Sequence, residues 1–280
     1  MQGKVCVITG ATSGLGLEAA ERLAKLGARL VLVGRDRARG DAAVRRLQQA
    51  VPGVAVRIHY ADLSLMSEMK RVATEIRDAE PRIDVLINNA GAMFASRHVT
   101  EEGLELTFAL NHMAYFIITN ILLDRLRAAA PSRIVCTASI AHRGQDLDFA
   151  DLQSSRNYGA MKVYGRSKLA NILFTRELAR RLTGTGVTAN CLHPGFVATR
   201  FGSGNGLLTR IGVRIAMLGA IRVEKGAETI VYLASSPAVA GVSGGYYQKS
   251  QLTQPSAQAR SAESALRLWA ESARLSGMAV

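Results

Sequence analysis

Short runs of continuously apolar residues alternate along this chain with longer stretches whose apolar positions recur every three or four residues. The first run, residues 4–9, is rich in β-branched side chains and predicts a strand. Residues 14–26 then have helical spacing, and residues 29–34 are apolar again, so the chain opens on a strand-helix-strand unit. The same alternation predicts helices over 37–49, 64–79, 103–129 and 163–182 and strands over 54–60, 84–88, 134–137 and 188–192. Strands that are apolar from end to end are covered on both faces, and the intervening helices supply the cover. The expected fold is α/β, a doubly wound parallel sheet with helices on both faces. Ligands of such sheets bind beyond the carboxyl ends of the strands. Asp62, Asn89, Ser139 and Pro194-Gly195 each follow a predicted strand, so all of them converge on that rim.

With 280 residues and 48% hydrophobic content, the chain can bury a sizeable core and sits at the upper end for one domain. Only six prolines occur, and no stretch rich in Ser, Gly or Pro or in one sign of charge marks a linker, so 1–280 reads as a single domain. The first residues run directly into a strand, which leaves no room for a signal peptide or an N-terminal membrane helix. A cytoplasmic protein without a transmembrane segment is expected. Cys6, Cys136 and Cys191 lie inside apolar runs with no Cys or His at metal-ligand spacing, and His59, His98, His112, His142 and His193 are equally scattered. Buried reduced thiols and no metal follow. The net charge of +13 raises the question of nucleic acid, but arginines such as Arg22, Arg45, Arg71, Arg125 and Arg180 are dispersed over the predicted helices, and aromatic content is 5%. A solvated surface that favours anionic ligands accounts for the charge, without nucleic-acid binding.

Two motifs carry chemistry. After the first strand, Gly10, Gly14 and Gly16 let the backbone turn sharply and approach a pyrophosphate at the amino end of the next helix. The strand-turn-helix context is that of dinucleotide binding in a Rossmann-type sheet, and no Gly-Lys-Ser/Thr follows that would indicate a nucleotide triphosphatase. At the end of the second strand, Arg35 stands where an NAD-specific site places a carboxylate. A guanidinium there takes a 2′-phosphate, so NADP(H) is preferred over NAD(H). The alternative is that Asp36 serves the ribose. The second motif is Tyr164 with Lys168, one helical turn apart, where the ammonium favours phenolate and draws the phenol pKa toward neutrality. Tyr158 and Lys162 repeat that spacing, so spacing alone leaves the two tyrosines undecided.

Thr9-Gly10-x-x-x-Gly14-x-Gly16, Asp62-Leu63, Asn88-Asn89-Ala90-Gly91, Asn111, Ser139, Tyr164-x-x-x-Lys168 and Pro194-Gly195 occur in the order seen in the short-chain dehydrogenases/reductases, which the chain resembles over nearly its whole length. Leu110 to Phe116, Ser139-Ile140-Ala141-His142, Tyr164 to Asn171, His193-Pro194-Gly195, Tyr232 to Pro237, Leu268-Trp269 and the inserted segment 146–155 are similar to the retinol dehydrogenase branch. The resemblance implies that Tyr164 is the catalytic acid or base and Tyr158 a residue of the site rim or surface. It implies that Ser139 holds the reacting oxygen, that Lys168 holds the nicotinamide ribose, and that Asn111 positions a water for proton relay. It further implies cofactor contacts at Gly10, Ser13, Gly14, Leu15, Gly16, Arg35, Asp62, Leu63, Asn89, Tyr164, Lys168, Pro194 and Thr199.

Residues near 196–223 are then the substrate lid and 256–276 a C-terminal helical tail. The lid sequence is apolar at helical spacing with Arg210, Arg214 and Arg222 interspersed, which suits an apolar aldehyde, ketone or alcohol and permits peripheral membrane contact; the alternative is a helix that simply packs on the sheet. A homodimer is the family expectation. The alternative function is a catalytically silent NADP(H)-binding interaction protein.

Overall fold

The computed structural model describes residues 1–195 and 222–279, and within them eight strands form one sheet. The six expected strands are β1 (Val5–Thr9), β2 (Arg29–Gly34), β3 (Val56–Tyr60), β4 (Val85–Asn88), β5 (Ser132–Thr137) and β6 (Val187–His193). Two further strands, β7 (Tyr246–Gln248) and β8 (Gln251–Thr253), complete the order β3-β2-β1-β4-β5-β6-β7-β8. The winding therefore reverses between β1 and β4, which opens a crevice at their carboxyl ends. β7 lies parallel to β6, and β8 returns antiparallel to it. Lys249 and Ser250 both take positive φ, at 51° and 59°, as a two-residue hairpin turn requires.

The longer helices among the described residues are α1 (Gly14–Lys25), α2 (Arg37–Ala50), α3 (Met66–Ala79), α4 (Ala114–Ala128), α5 (Ala160–Arg181), α6 (Val223–Ser235) and α7 (Ala262–Ser276). Alternate side chains of each strand point to opposite faces. Val7, Val31, Leu86 and Ile134 join one core with residues of α3, α4, α5 and α7; Cys6, Ile8, Leu30, Leu32 and Ile87 join another with α1, α2 and α6. Below the sheet, away from the crevice, Arg29 pairs with the buried carboxylate of Glu80, and Asp84 accepts from the Val5 amide at 2.9 Å and from Arg82 at 2.7 Å. These pairs tie the amino-terminal strand ends together.

The expected continuous helix over 103–129 is not formed. The buried Glu105 accepts from the amides of Thr107 and Phe108, both at 2.8 Å, and caps a single turn, Leu106–Phe108. A π turn, Ala109–Met113, follows before α4 begins. A π turn inserts one residue into a helix, but this stretch is buried nearly all round, so no polar face marks the shift in phase. The stretch Leu106–Ala128 is long and apolar enough to cross a membrane, but its most apolar part is mostly buried inside the fold. It is built into the core. α5 starts at Ala160, three residues before the expected start, and leaves Tyr158 outside the helix.

Candidate active site

At the crevice, β1 delivers the chain to the glycine turn. Gly10 has φ +66°, and a Cβ on Gly16 would stand 2.5 Å from the Gly10 carbonyl oxygen and 2.6 Å from Asn89 Nδ2. The turn is thus too close-packed for any side chain at Gly16. Ser13 occupies the amino cap of α1 without a side-chain cap bond, and the first turn, with Gly14, Leu15 and Gly16, carries no acidic residue. An uncapped helix amino end with no competing carboxylate fits an anionic group such as a pyrophosphate. Asn89 donates through Nδ2 to the carbonyls of Thr9 (3.0 Å) and Gly10 (3.3 Å), so its amide braces the turn.

At the end of β2, Arg35 is 74% exposed in its side chain and reaches Asp62 at 3.4 Å. Asp36 is committed elsewhere: its carboxylate caps α2 by accepting from the Arg39 amide at 2.8 Å. Asp62 accepts from the amide and hydroxyl of Ser64, at 3.0 and 2.7 Å. Burial opposes its charge, yet the Ser64 bonds and Arg35 prevail and lower its pKa. Leu63 beside it is buried.

Across the crevice, Ser139, Tyr164 and Lys168 come together. β5 ends at Thr137, and Ser139 caps the short turn Ile140–His142 by accepting from the Ala141 amide at 3.2 Å. Tyr164 and Lys168 share one face of α5, with Lys168 Nζ 5.6 Å from the centre of the Tyr164 ring. Lys168 Nζ donates to the Thr137 carbonyl at 3.0 Å and also lies 5.8 Å from the centre of the Tyr115 ring. Burial raises the Tyr164 pKa to about 12 against a hydrogen bond with Ser139, and burial lowers Lys168 to about 8. Desolvation is the larger cause in both.

Asn111 lies in the π turn, fully buried, with its side chain fully engaged. Nδ2 donates to the Ala92 carbonyl and to Ser167 Oγ, both at 2.9 Å, and Oδ1 accepts from the Ala92 amide at 2.8 Å. The amide fastens the strand-end loop to α5 and has no capacity left for a water on Nδ2. Gly91 separates this group from Lys168: a Cβ there would lie 3.1 Å from Asn111 Oδ1 and 3.3 Å from Lys168 Nζ. Pro194 and Gly195 follow β6 on the same rim; Thr199 and most of the expected lid lie outside the described residues.

The duplicate tyrosine is placed differently. Tyr158 precedes α5, so no helical turn links it to Lys162, and its hydroxyl donates to the Phe94 carbonyl at 2.8 Å. Sequence reasoning passed over Tyr115 and Asn171, whose side chains converge with Lys168 on the Thr137 carbonyl, at 3.4 and 3.3 Å. Asn171 lies one turn beyond Lys168, a spacing that could have flagged it. It also passed over His142, whose Nδ1 donates to the Ser139 carbonyl at 2.6 Å and which stands three residues after that serine.

The sequence profile of the short chain dehydrogenases matches residues 4–205. Retinol dehydrogenase 13 of Homo sapiens is 40% identical over 283 residues, which span 99% of this chain and 85% of that protein. Retinol dehydrogenase 14 of Homo sapiens is 44% identical over 88% of this chain and 78% of its own length. Among solved structures, an uncharacterized protein from Mycobacterium Paratuberculosis superimposes with TM-score 0.81 at 32% identity, covering 99% of this chain and 94% of that one. L-sorbose reductase from Gluconobacter frateurii, complexed with NADPH and L-sorbose, gives TM-score 0.71 at 27% identity over 88% of this chain and 95% of its own. A glycine turn, a reversed winding and a serine, tyrosine and lysine on one rim thus coincide with full-length likeness, and the chain belongs to the short-chain dehydrogenase/reductase family of oxidoreductases, in its retinol dehydrogenase-like branch.

Proposed function

We propose that this oxidoreductase is a cytoplasmic, NADP(H)-dependent enzyme that interconverts apolar aldehydes or ketones and their alcohols. The observation that carries the reading is the convergence of Ser139, Tyr164 and Lys168 at the carboxyl edge of β5, opposite the uncapped amino end of α1. The bound nicotinamide supplies hydride chemistry at its C4 position. Tyr164 Oη gives its proton to the reacting oxygen during reduction and takes it back during oxidation. Ser139 Oγ donates to that same oxygen, where a donor aimed at developing charge contributes about 3 kcal/mol. Lys168 holds the nicotinamide ribose, and Asn111 keeps the neighbouring loop and Ser167 in register through its side-chain amide.

Cofactor preference rests on Arg35, since Asp36 is already the cap of α2 and Arg35 is exposed at the adenosine end. L-sorbose reductase, similar in fold, was solved with NADPH. Substrate class rests on the rim. Ile140, directly after Ser139, is 41% exposed, and Met161, one turn before Tyr164, is 60% exposed. Exposed apolar side chains close in the chain to these residues favour an apolar substrate. The relatives named retinol dehydrogenases are consistent with a lipophilic carbonyl or alcohol.

The test follows NADPH oxidation across aldehydes and ketones of increasing chain length. Turnover should rise with chain length, and Tyr164→Phe should lower it by about 10²–10⁴-fold while leaving NADPH affinity in place. Tight NADPH binding with no turnover on any member would instead favour a silent cofactor-binding protein.

A further inference from the structure

The short chain dehydrogenase match ends at residue 205, yet the chain after it returns to the site at two points. At the first, the Ser256 amide donates to His142 Nε2 at 3.1 Å. A backbone N–H can only donate, so Nε2 is the acceptor and the ring proton sits on Nδ1. That proton is given to the Ser139 carbonyl at 2.6 Å. His142 is fully buried, with its ring edge-on to Tyr246 at 5.2 Å. The histidine thus spans the C-terminal segment and the residue whose hydroxyl faces Tyr164.

At the second point, Ser272 Oγ donates to the Leu268 carbonyl at 2.7 Å and so accepts from His112 Nε2 at 2.8 Å. His112 is fully buried, adjoins Asn111 in the π turn, and packs on Phe108 and Phe174 at 5.1 and 6.1 Å. Trp269, on the same helix as Ser272, stacks on Phe174 at 5.8 Å. Burial holds both imidazoles below their ordinary pKa, with His112 pushed down to about 3, so each keeps a single ring proton and a defined direction of donation. Both turns are short, and each buried ring adds a tie from its turn to a distant part of the chain.

We propose that residues 256–276 are a positioning element of the active site, holding the Ser139 turn through His142 and the Asn111 turn through His112. The two histidines are positioning residues, acting through Ser139 and Asn111, and the inference rests on the catalytic reading of those residues. Holding a donor within a fraction of an ångström matters because hydroxyl donors act on the transition state only in a narrow geometry.

The test uses the full chain and three variants. His142→Phe keeps ring volume and removes both hydrogen bonds; His142→Asn restores a donor at the Nδ1 position but cannot reach Ser256; Ser272→Ala removes the acceptor for His112. Amide hydrogen exchange over 138–145 and 109–116 is read beside kcat and NADPH affinity. In His142→Phe, exchange over 138–145 should rise about tenfold or more and kcat fall by a similar factor, with NADPH affinity unchanged within about twofold. His142→Asn should recover part of both, and Ser272→Ala should raise exchange over 109–116 selectively. Wild-type exchange over 138–145 in His142→Phe, or a rise spread evenly over the whole chain, would overturn the proposal. Exchange reads the hold without turnover. A failure of the catalytic reading itself shows up separately, as full turnover in Ser139→Ala.

Discussion

Tyr164 and Lys168 stand one turn apart on α5, and burial moves their proton affinities in opposite directions, to about 12 and about 8. The sign for the lysine is definite. Lys168 carries its charge below about 8 and loses it as pH rises through that value. NADPH affinity of the free protein should therefore decline on going from neutral to alkaline pH, and Lys168→Met should flatten the dependence; fluorescence titration across that range checks both. At the other end of the crevice, Arg35→Ala should weaken NADPH by about tenfold to a hundredfold relative to NADH, the scale of a lost charged hydrogen bond. Asp36→Ala should cost about 1 kcal/mol of stability through the lost α2 cap and leave cofactor preference alone. If the two variants exchange these outcomes, Asp36 is the ribose partner. The assignment of Arg35 was legible in the sequence from its place after a strand, whereas the employment of Asp36 was not, because a cap and a ribose ligand occupy the same position along the chain.

Among the elements, the glycine turn has the least room. A methyl at Gly16 meets a backbone oxygen at 2.5 Å and an amide at 2.6 Å that is itself tied to Thr9 and Gly10, so neither neighbour can withdraw cheaply. Gly16→Ala should abolish NADPH binding and lower stability by about 1–3 kcal/mol, read from thermal unfolding with and without cofactor. Before α5, Tyr158 fastens the Phe94 loop to the start of the helix. Tyr158→Phe should reduce stability by about 1 kcal/mol and change kcat little, in contrast to Tyr164→Phe. The strand-helix alternation that frames these elements was readable because each strand is long enough to show an unbroken apolar run. The three-residue β7 and β8 were not, since three positions carry no period, and neither was the π turn, because the chain around it is buried on nearly every side.

For the molecule as a whole, three buried histidines make stability sensitive to acid. His112 is pushed down to about 3 and His193 to about 4 from an ordinary 6.5, and His142 is lowered too, each first of all by burial. The unfolded chain binds protons that the folded chain refuses, so their contribution is complete above 6.5 and is lost as pH falls toward 4. His112 and His193 should each lower stability by up to about 1.4 kcal/mol per pH unit in that window, and His142 acts in the same direction. Denaturant unfolding at stepped pH should show the decline, and His112→Gln should make it shallower; stability flat down to pH 4 would contradict the burial of all three. The sequence by itself determined the doubly wound sheet, the glycine turn and the residues brought to its rim, because local periodicity and position after a strand are properties of neighbours along the chain. Only the tertiary structure decided that Tyr158 lies off the helix, that Lys168 bonds the Thr137 carbonyl while the Tyr164 phenol pKa rises, and that the chain beyond 255 reaches Ser139 and Asn111 through two histidines. Those facts depend on desolvation and on contacts between residues 31 to 160 positions apart, and no local pattern encodes either.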